Sequence, residues 1–171
     1  LQGLLGWYMV KSGLIDVPQV SQYRLVAHLG AAILIYLYML WVAFGLLEHR
    51  PAPVVSTTIR RAARGLGLLA LITVLSGGFV AGLKAGHAFN TFPLMGGQWI
   101  PPGYILLDPV WRNFFENIPS VQLNHRLLAI STFILVLVLA FRIVRDPQLE
   151  SQRWPALLLA GVPTVQVALR I

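Results

Sequence analysis

The sequence predicts an all-α, polytopic transmembrane helical bundle, and three observations predict it. Of its 171 residues 57% are hydrophobic and only 11% charged, far below the roughly 25% charge of a soluble globular domain. Apolar runs recur along the chain, several of them near the roughly 20 residues that a helix needs to cross a hydrocarbon core about 30 Å thick. The thirteen basic residues, which make the net charge +7, sit in connections and at helix ends, the distribution expected of loops on the cytoplasmic side. That placement accounts for the charge and removes the case for nucleic acid. The chain has no cysteine, which excludes disulfides, thiolate metal sites and cysteine nucleophiles.

The first apolar run, from Leu1 to Val10, is too short to span and reads as the second half of a helix that starts upstream; no leader or cleavage site precedes it. A polar stretch from Lys11 to Gln22 follows, with Gly13, Asp16 and Pro18. Ser21 is placed to cap the next helix, from Tyr23 to about Leu47, which is long enough to span. An arginine-rich connection holds Arg50, Arg60, Arg61 and Arg64. The third helix is expected over Gly65 to Lys84, with Gly78, Gly82 and Gly86 spaced four apart on one face suited to close packing. From Ala85 to Ser120 the helical period gives way to glycine, proline and aromatics, including Trp99, Tyr104, Trp111, Phe114 and Phe115; long connections without regular structure usually carry function. Ser120 is the expected cap of the fourth helix, from Val121 to about Val144. After a turn with Arg142, Arg145 and Arg153, a last helix begins near Trp154 and is cut at Ile171.

With the arginine-rich loops inside, the Lys11–Gln22 and Ala85–Ser120 segments lie outside, and the helices from Tyr23 and Val121 both run inward. Leu1-Gln2-Gly3-Leu4-Leu5 echoes Val165-Gln166-Val167-Ala168-Leu169, a short similarity that suits a repeated architecture.

His28 stands seven residues after Ser21, and His125 five after Ser120. At about 1.5 Å per residue, each lies within the first turns of an apolar helix, where ionisable side chains are rare and usually functional. Neutral imidazole suits haem iron, and a helical bundle supplies a flat apolar slot for a porphyrin. Zinc suits the pattern less, because it collects three or four ligands and neither helix offers a second one a turn away. The competing reading is a histidine hydrogen-bonded between helices. Arg24 lies one turn before His28, and Arg126 adjoins His125. Each can pair with a haem propionate or reach the lipid headgroups.

His49, beside Arg50 and Pro51, reads as a solvated loop residue without a role. His87 either lines an entrance or, in the favoured reading, faces water. The outer acidic residues are Asp16, Asp108 and Glu116. Glu116 follows Phe114 and Phe115; an apolar setting would raise its pKa and suit it to proton transfer as a catalytic residue, or else it anchors the loop.

Taken in order, these motifs resemble one family. Gln2-Gly3-Leu4-Leu5-Gly6-Trp7, running on to Leu14, and Tyr23-Arg24-Leu25-Val26-Ala27-His28-Leu29 resemble the third and fourth helices of the haem A synthase family. Gly77-Gly78-Phe79-Val80-Ala81-Gly82, continuing to Asn90-Thr91-Phe92-Pro93-Leu94-Met95, is similar to its fifth helix and the loop after it. Phe115-Glu116-Asn117 with Val121-Gln122-Leu123-Asn124-His125-Arg126 is similar to the start of its sixth.

The resemblance implies an eight-helix protein built from two pseudo-symmetric four-helix bundles. Residues 1–47 would end the amino-terminal half, 48–64 form a cytoplasmic linker, and 65–171 begin the carboxy-terminal half. It implies His28 as an iron ligand to substrate haem O and His125 as a ligand of a resident haem b, their partner histidines and a catalytic carboxylate belonging to helices outside this chain. The implied reaction oxidises a methyl of haem O to the formyl of haem A for cytochrome oxidase. Expected partners are haem O, haem A, membrane lipid and, among proteins, haem O synthase or cytochrome oxidase subunits. The expected location is the bacterial inner (plasma) membrane, with the haem sites toward its outer side. Arg170 departs from the family's usual glycine; near mid-membrane it would cost about 2.5 to 3.5 kcal/mol on insertion scales. Two other classes fit the residues themselves, a di-haem b-type electron carrier and a haem-free assembly or scaffold protein that binds through its outer aromatic segment.

Overall fold

A computed structural model describes residues 2–11, 21–47 and 55–169. Its helices are α1 (Gln2–Lys11), α2 (Gln22–Leu46), α3 (Thr57–Gly82), the short α4 (Asn113–Glu116), α5 (Ile118–Arg145) and α6 (Arg153–Ala168). Among the described residues there is no strand, only an isolated bridge between Met95 and Gln98. Helices α2, α3 and α5 are long and apolar enough to cross a membrane. No residue of α2 is buried, and Trp41 is 72% exposed. An apolar surface of that length is solvated by lipid or by other helices, not by water.

The chain divides into two compact units. The first comprises Leu1–Glu48 and Val74–Arg126. Here α1 packs on α2, and the first turns of α2 lie directly on the backbone of α3. A Cβ at Gly78 would come within 2.9 Å of Val26 Cγ2, and one at Gly82 within 2.7 Å of both Cα and Cβ of Gln22. Two glycines four apart thus provide the smooth face that lets the helices meet.

Beyond α3 the expected structureless segment is organised by 3-10 turns at Ala85–His87 and Val110–Arg112 and by α4. Asn113 holds it: its Oδ1 accepts from the backbone N–H of Leu106 at 2.8 Å and Leu107 at 2.9 Å, and its Nδ2 donates to the carbonyls of Leu107 and Val110. Asn117 donates to the carbonyls of Gly103 and Tyr104. Asn113→Ala leaves two backbone donors unmatched at a site only 1% exposed, a loss of about 2 to 6 kcal/mol at about 1 to 3 kcal/mol per unmatched group. Limited proteolysis is expected to cut residues 100–112 of that variant faster than the parent.

The second unit comprises His49–Thr73 and Leu127–Ile171. Val136, Leu139 and Ala140 form its buried stripe on α5, at the spacing of one helical face. Thr73 Oγ1 lies 2.8 Å from Thr132 Oγ1 and joins α3 to α5. Asp146 accepts from the Gln148 N–H and opens the 3-10 turn before α6.

Two expected boundaries and one expected capping bond are corrected. Helix α3 begins at Thr57, eight residues before the predicted Gly65, because Ser56 Oγ accepts from the Ile59 N–H and arginine is a good helix former. Exposed Arg60, Arg61 and Arg64 are therefore helical; charge marks where the apolar stretch ends, not where the helix does. Helix α5 begins at Ile118, and Ser120 is inside it, its hydroxyl bound to the Tyr104 carbonyl and not to a helix end. Ser21 stands at the start of α2 as expected, but its side chain makes no capping bond.

Candidate functional site

His28 lies six residues from the start of α2 and His125 seven from the start of α5, about 9 and 10 Å along their helices. The two imidazoles belong to the same unit, and each is held against a neighbouring helix. The ring of His28 faces α1: the Cβ position of Gly6 is 3.5 Å from its Cε1. The Gln2 side-chain amide Nε2 is 3.3 Å from His28 Nε2 and donates to the His28 carbonyl at 3.1 Å. Among the described residues, His28 Nδ1 and Gln2 Oε1 are buried without a hydrogen-bond partner. On another side His28 borders an apolar cavity of about 330 Å³, shared by Leu25, Leu29 and Ala32 of α2 with Val74, Gly77, Gly78 and Ala81 of α3.

His125 faces α3. Its Nδ1 is 2.7 Å from Ser76 Oγ, and a Cβ at Gly77 would meet its Cε1 at 3.2 Å. The ring therefore rests on backbone, with Ser76 setting its rotation. A hydrogen bond to one ring nitrogen orients the other, the arrangement found behind metal-bound histidines. Both imidazoles are thus chemically suited to iron: His28 through Nε2, which faces the Gln2 amide nitrogen, and His125 through a ring oriented at Nδ1. Among the described residues, no three of His, Asp and Glu gather into a metal-binding group.

The flanking charges have definite partners. The Arg24 guanidinium lies over the Tyr8 ring, 5.0 Å from its centroid. Arg126 donates from its two terminal nitrogens to the carbonyls of Thr91 at 2.8 Å and Phe89 at 2.7 Å, and Gln122 donates to the same Phe89 carbonyl. Arg126 thereby ties the segment after α3 to α5. His87 is exposed. His49, Asp16 and Arg170 lie outside the described residues.

Glu116 corrects an expectation. Arg112 grips its Oε2 through Nε at 2.9 Å and Nη2 at 2.6 Å, while the Tyr23 hydroxyl donates to Oε1 at 2.8 Å. These bonds, Arg112 first and Tyr23 second, hold its pKa below the ordinary 4.5, outweighing the upward push of partial burial. The neighbouring Phe115 packs instead with Phe79 and Tyr23. The carboxylate fastens the segment between α3 and α5 to α2. Because its pKa is lowered on folding, that fastening is complete above about pH 4.5 and is lost as the pH falls through the lowered value. Proteolysis of the segment between α3 and α5 is therefore expected to rise in acid, and Glu116→Gln to abolish that dependence.

Sequence reasoning passed over Gln2 and Ser76 as functional side chains. Gln2 had one signal, the glutamine shared by the echo with Gln166. Ser76 had none, because nothing local ties residue 76 to residue 125.

Comparison with known proteins extends the motifs over the whole chain. The COX15-CtaA family, described as cytochrome oxidase assembly protein, matches residues 1–171. The heme A synthase of Nitrosospira multiformis is 48% identical over 174 residues, covering 100% of this chain and 49% of that protein. The heme A synthase of Nitrosomonas eutropha is 55% identical over 133 residues, covering 75% and 37%. Heme A synthase COX15 of Mus musculus is 45% identical over 179 residues, covering 99% and 43%. The chain spans about half the length, or less, of these curated relatives. No solved structure matches it. With apolar spanning helices, ordered motifs and a family match from the first residue to the last, the chain is part of an integral membrane protein and belongs to the COX15-CtaA family of cytochrome oxidase assembly proteins.

Proposed function

We propose that the protein acts as a haem A synthase, oxidising the methyl group of haem O to the formyl group of haem A for cytochrome oxidase. The observation that carries this reading is the pair of imidazoles at matched depth on two spanning helices, each resting on a neighbouring helix, in a chain whose relatives bear that name. In this reading His28 is a ligand to the iron of the substrate haem O, and His125 a ligand to a resident haem b. Bound haem would supply the redox chemistry, and the protein its binding and orientation.

The chain's own residues then divide the work. His125 is oriented by Ser76, so Ser76→Ala is expected to weaken haem b binding about 10- to 100-fold, read by spectral titration. Arg24, a turn before His28, is proposed to meet a propionate. Arg126 is proposed to act on the propionates of haem b through its charge while it holds the carbonyls of Phe89 and Thr91. Taking hydrogen from the methyl carbon releases protons, for which Glu116 was the candidate carrier. Its low pKa and its grip by Arg112 suit it poorly to that role, and we assign it to fastening the outer segment.

The residue pattern further supports a bacterial inner membrane location with the haem sites toward the outer side, and a division at residues 48–64 between two four-helix halves. Haem O synthase and cytochrome oxidase subunits are the proposed protein neighbours. The test is extraction of pigment from cells that make haem O and express the full-length protein, followed by chromatography. Haem A is expected; haem b alone would exclude the activity and leave the di-haem electron carrier.

A further inference from the structure

An enzyme whose haem is its substrate must let go of the iron as readily as it binds it, and the contact between Gln2 and His28 bears on that exchange. A side-chain amide nitrogen can donate but not accept. The 3.1 Å bond from Gln2 Nε2 to the His28 carbonyl therefore fixes which end of the amide faces α2. The same nitrogen lies 3.3 Å from His28 Nε2, so its second N–H points at a ring nitrogen that must be the acceptor. The contact thereby sets the Nε2 lone pair of His28 toward the Gln2 amide. That lone pair is the one an iron would take.

Packing alone does not account for the glutamine. Among the described residues its Oε1 is buried without a partner, as is His28 Nδ1, and buried unpaired polar atoms are unfavourable. A leucine at residue 2 would fill similar space without stranding an oxygen.

We propose that Gln2 is a positioning residue that exchanges with iron at His28: its amide hydrogen-bonds the Nε2 lone pair when haem is absent and yields it when haem binds. On release the iron–nitrogen bond breaks and an N–H···N hydrogen bond forms; no electron or proton is transferred. The hydrogen bond stabilises the haem-free site, so Gln2 weakens binding at His28 and favours release of product. The inference rests on the proposed reading of His28 as a ligand of the substrate haem.

The test is titration of the full-length, haem-depleted protein in detergent with haem b, read by visible spectroscopy. The two binding steps are assigned with His28→Ala and His125→Ala. Gln2→Leu and Gln2→Met are expected to tighten the His28 step about 3- to 10-fold, the usual worth of one hydrogen bond, and to leave the His125 step unchanged. A merely structural glutamine would do the opposite, because its loss would loosen His28 and weaken the step. Unchanged or weaker binding at His28 in both variants overturns the proposal, as does loss of both steps in both variants, which would make Gln2 a folding residue. If His28→Ala leaves both steps intact, the ligand reading itself fails and this inference with it; if His28→Ala removes one step while the Gln2 variants change nothing, the inference alone fails.

Discussion

On the proposed ligand roles, replacing His125 with alanine is expected to abolish the spectrum of the proposed resident haem b, and replacing His28 to abolish binding of the proposed substrate haem while sparing the first. The expected loss exceeds the roughly 10- to 100-fold typical of residues behind a metal ligand, because the proposed ligand itself is removed and neither Ser76 nor Gln2 takes its place. Ser76 cannot, since its short side chain meets His125 at Nδ1. Gln2 cannot, since an amide nitrogen offers no lone pair. The measurement is pigment content per protein with the reduced-minus-oxidised spectrum of each variant. Equal loss of both haems in either single variant would contradict the division of roles between α2 and α5.

Replacing Gly82 with leucine is expected to have the other large effect. A Cβ there would stand 2.7 Å from Cα and Cβ of Gln22, and one of those atoms is backbone, so no rotamer change relieves the clash. The start of α2 must move off α3. Overpacking of this kind costs typically about 1 to 3 kcal/mol, and a bulky side chain at a helix crossing falls at the upper end. The displacement also strains Tyr23, whose hydroxyl holds Glu116, and His28 a turn and a half farther on. Gly82→Leu is therefore expected to lower thermal stability in detergent and to release the outer segment to protease. Gly67→Leu is the control, because nothing lies within 4 Å of the Cβ position of Gly67. Similar behaviour of the two variants would show that the crossing at Gly82 does not hold the unit together.

The features legible in the sequence were those that depend on neighbours along the chain. Spanning length follows from a run of apolar residues, and the glycine face of α3 from a spacing of four. The depth of His28 and His125 follows from counting along a helix. Helix ends were less legible: Arg60, Arg61 and Arg64 continue α3 outside the apolar stretch, and hydropathy is blind to them. The outer segment was harder still, since its order comes from Asn113 and Asn117 gathering backbone groups, which no periodicity reveals.

By itself, the sequence determined that this is a polytopic membrane protein and which two spanning helices carry imidazoles near their amino-terminal ends. Only the tertiary structure decided what each imidazole touches. Gln2 meets His28 across 26 residues, Ser76 meets His125 across 49, and Tyr23 meets Glu116 across 93. The physical reason is that hydrogen-bond partners and pKa shifts act over a few ångströms of space, and helix packing brings together residues that no local pattern links.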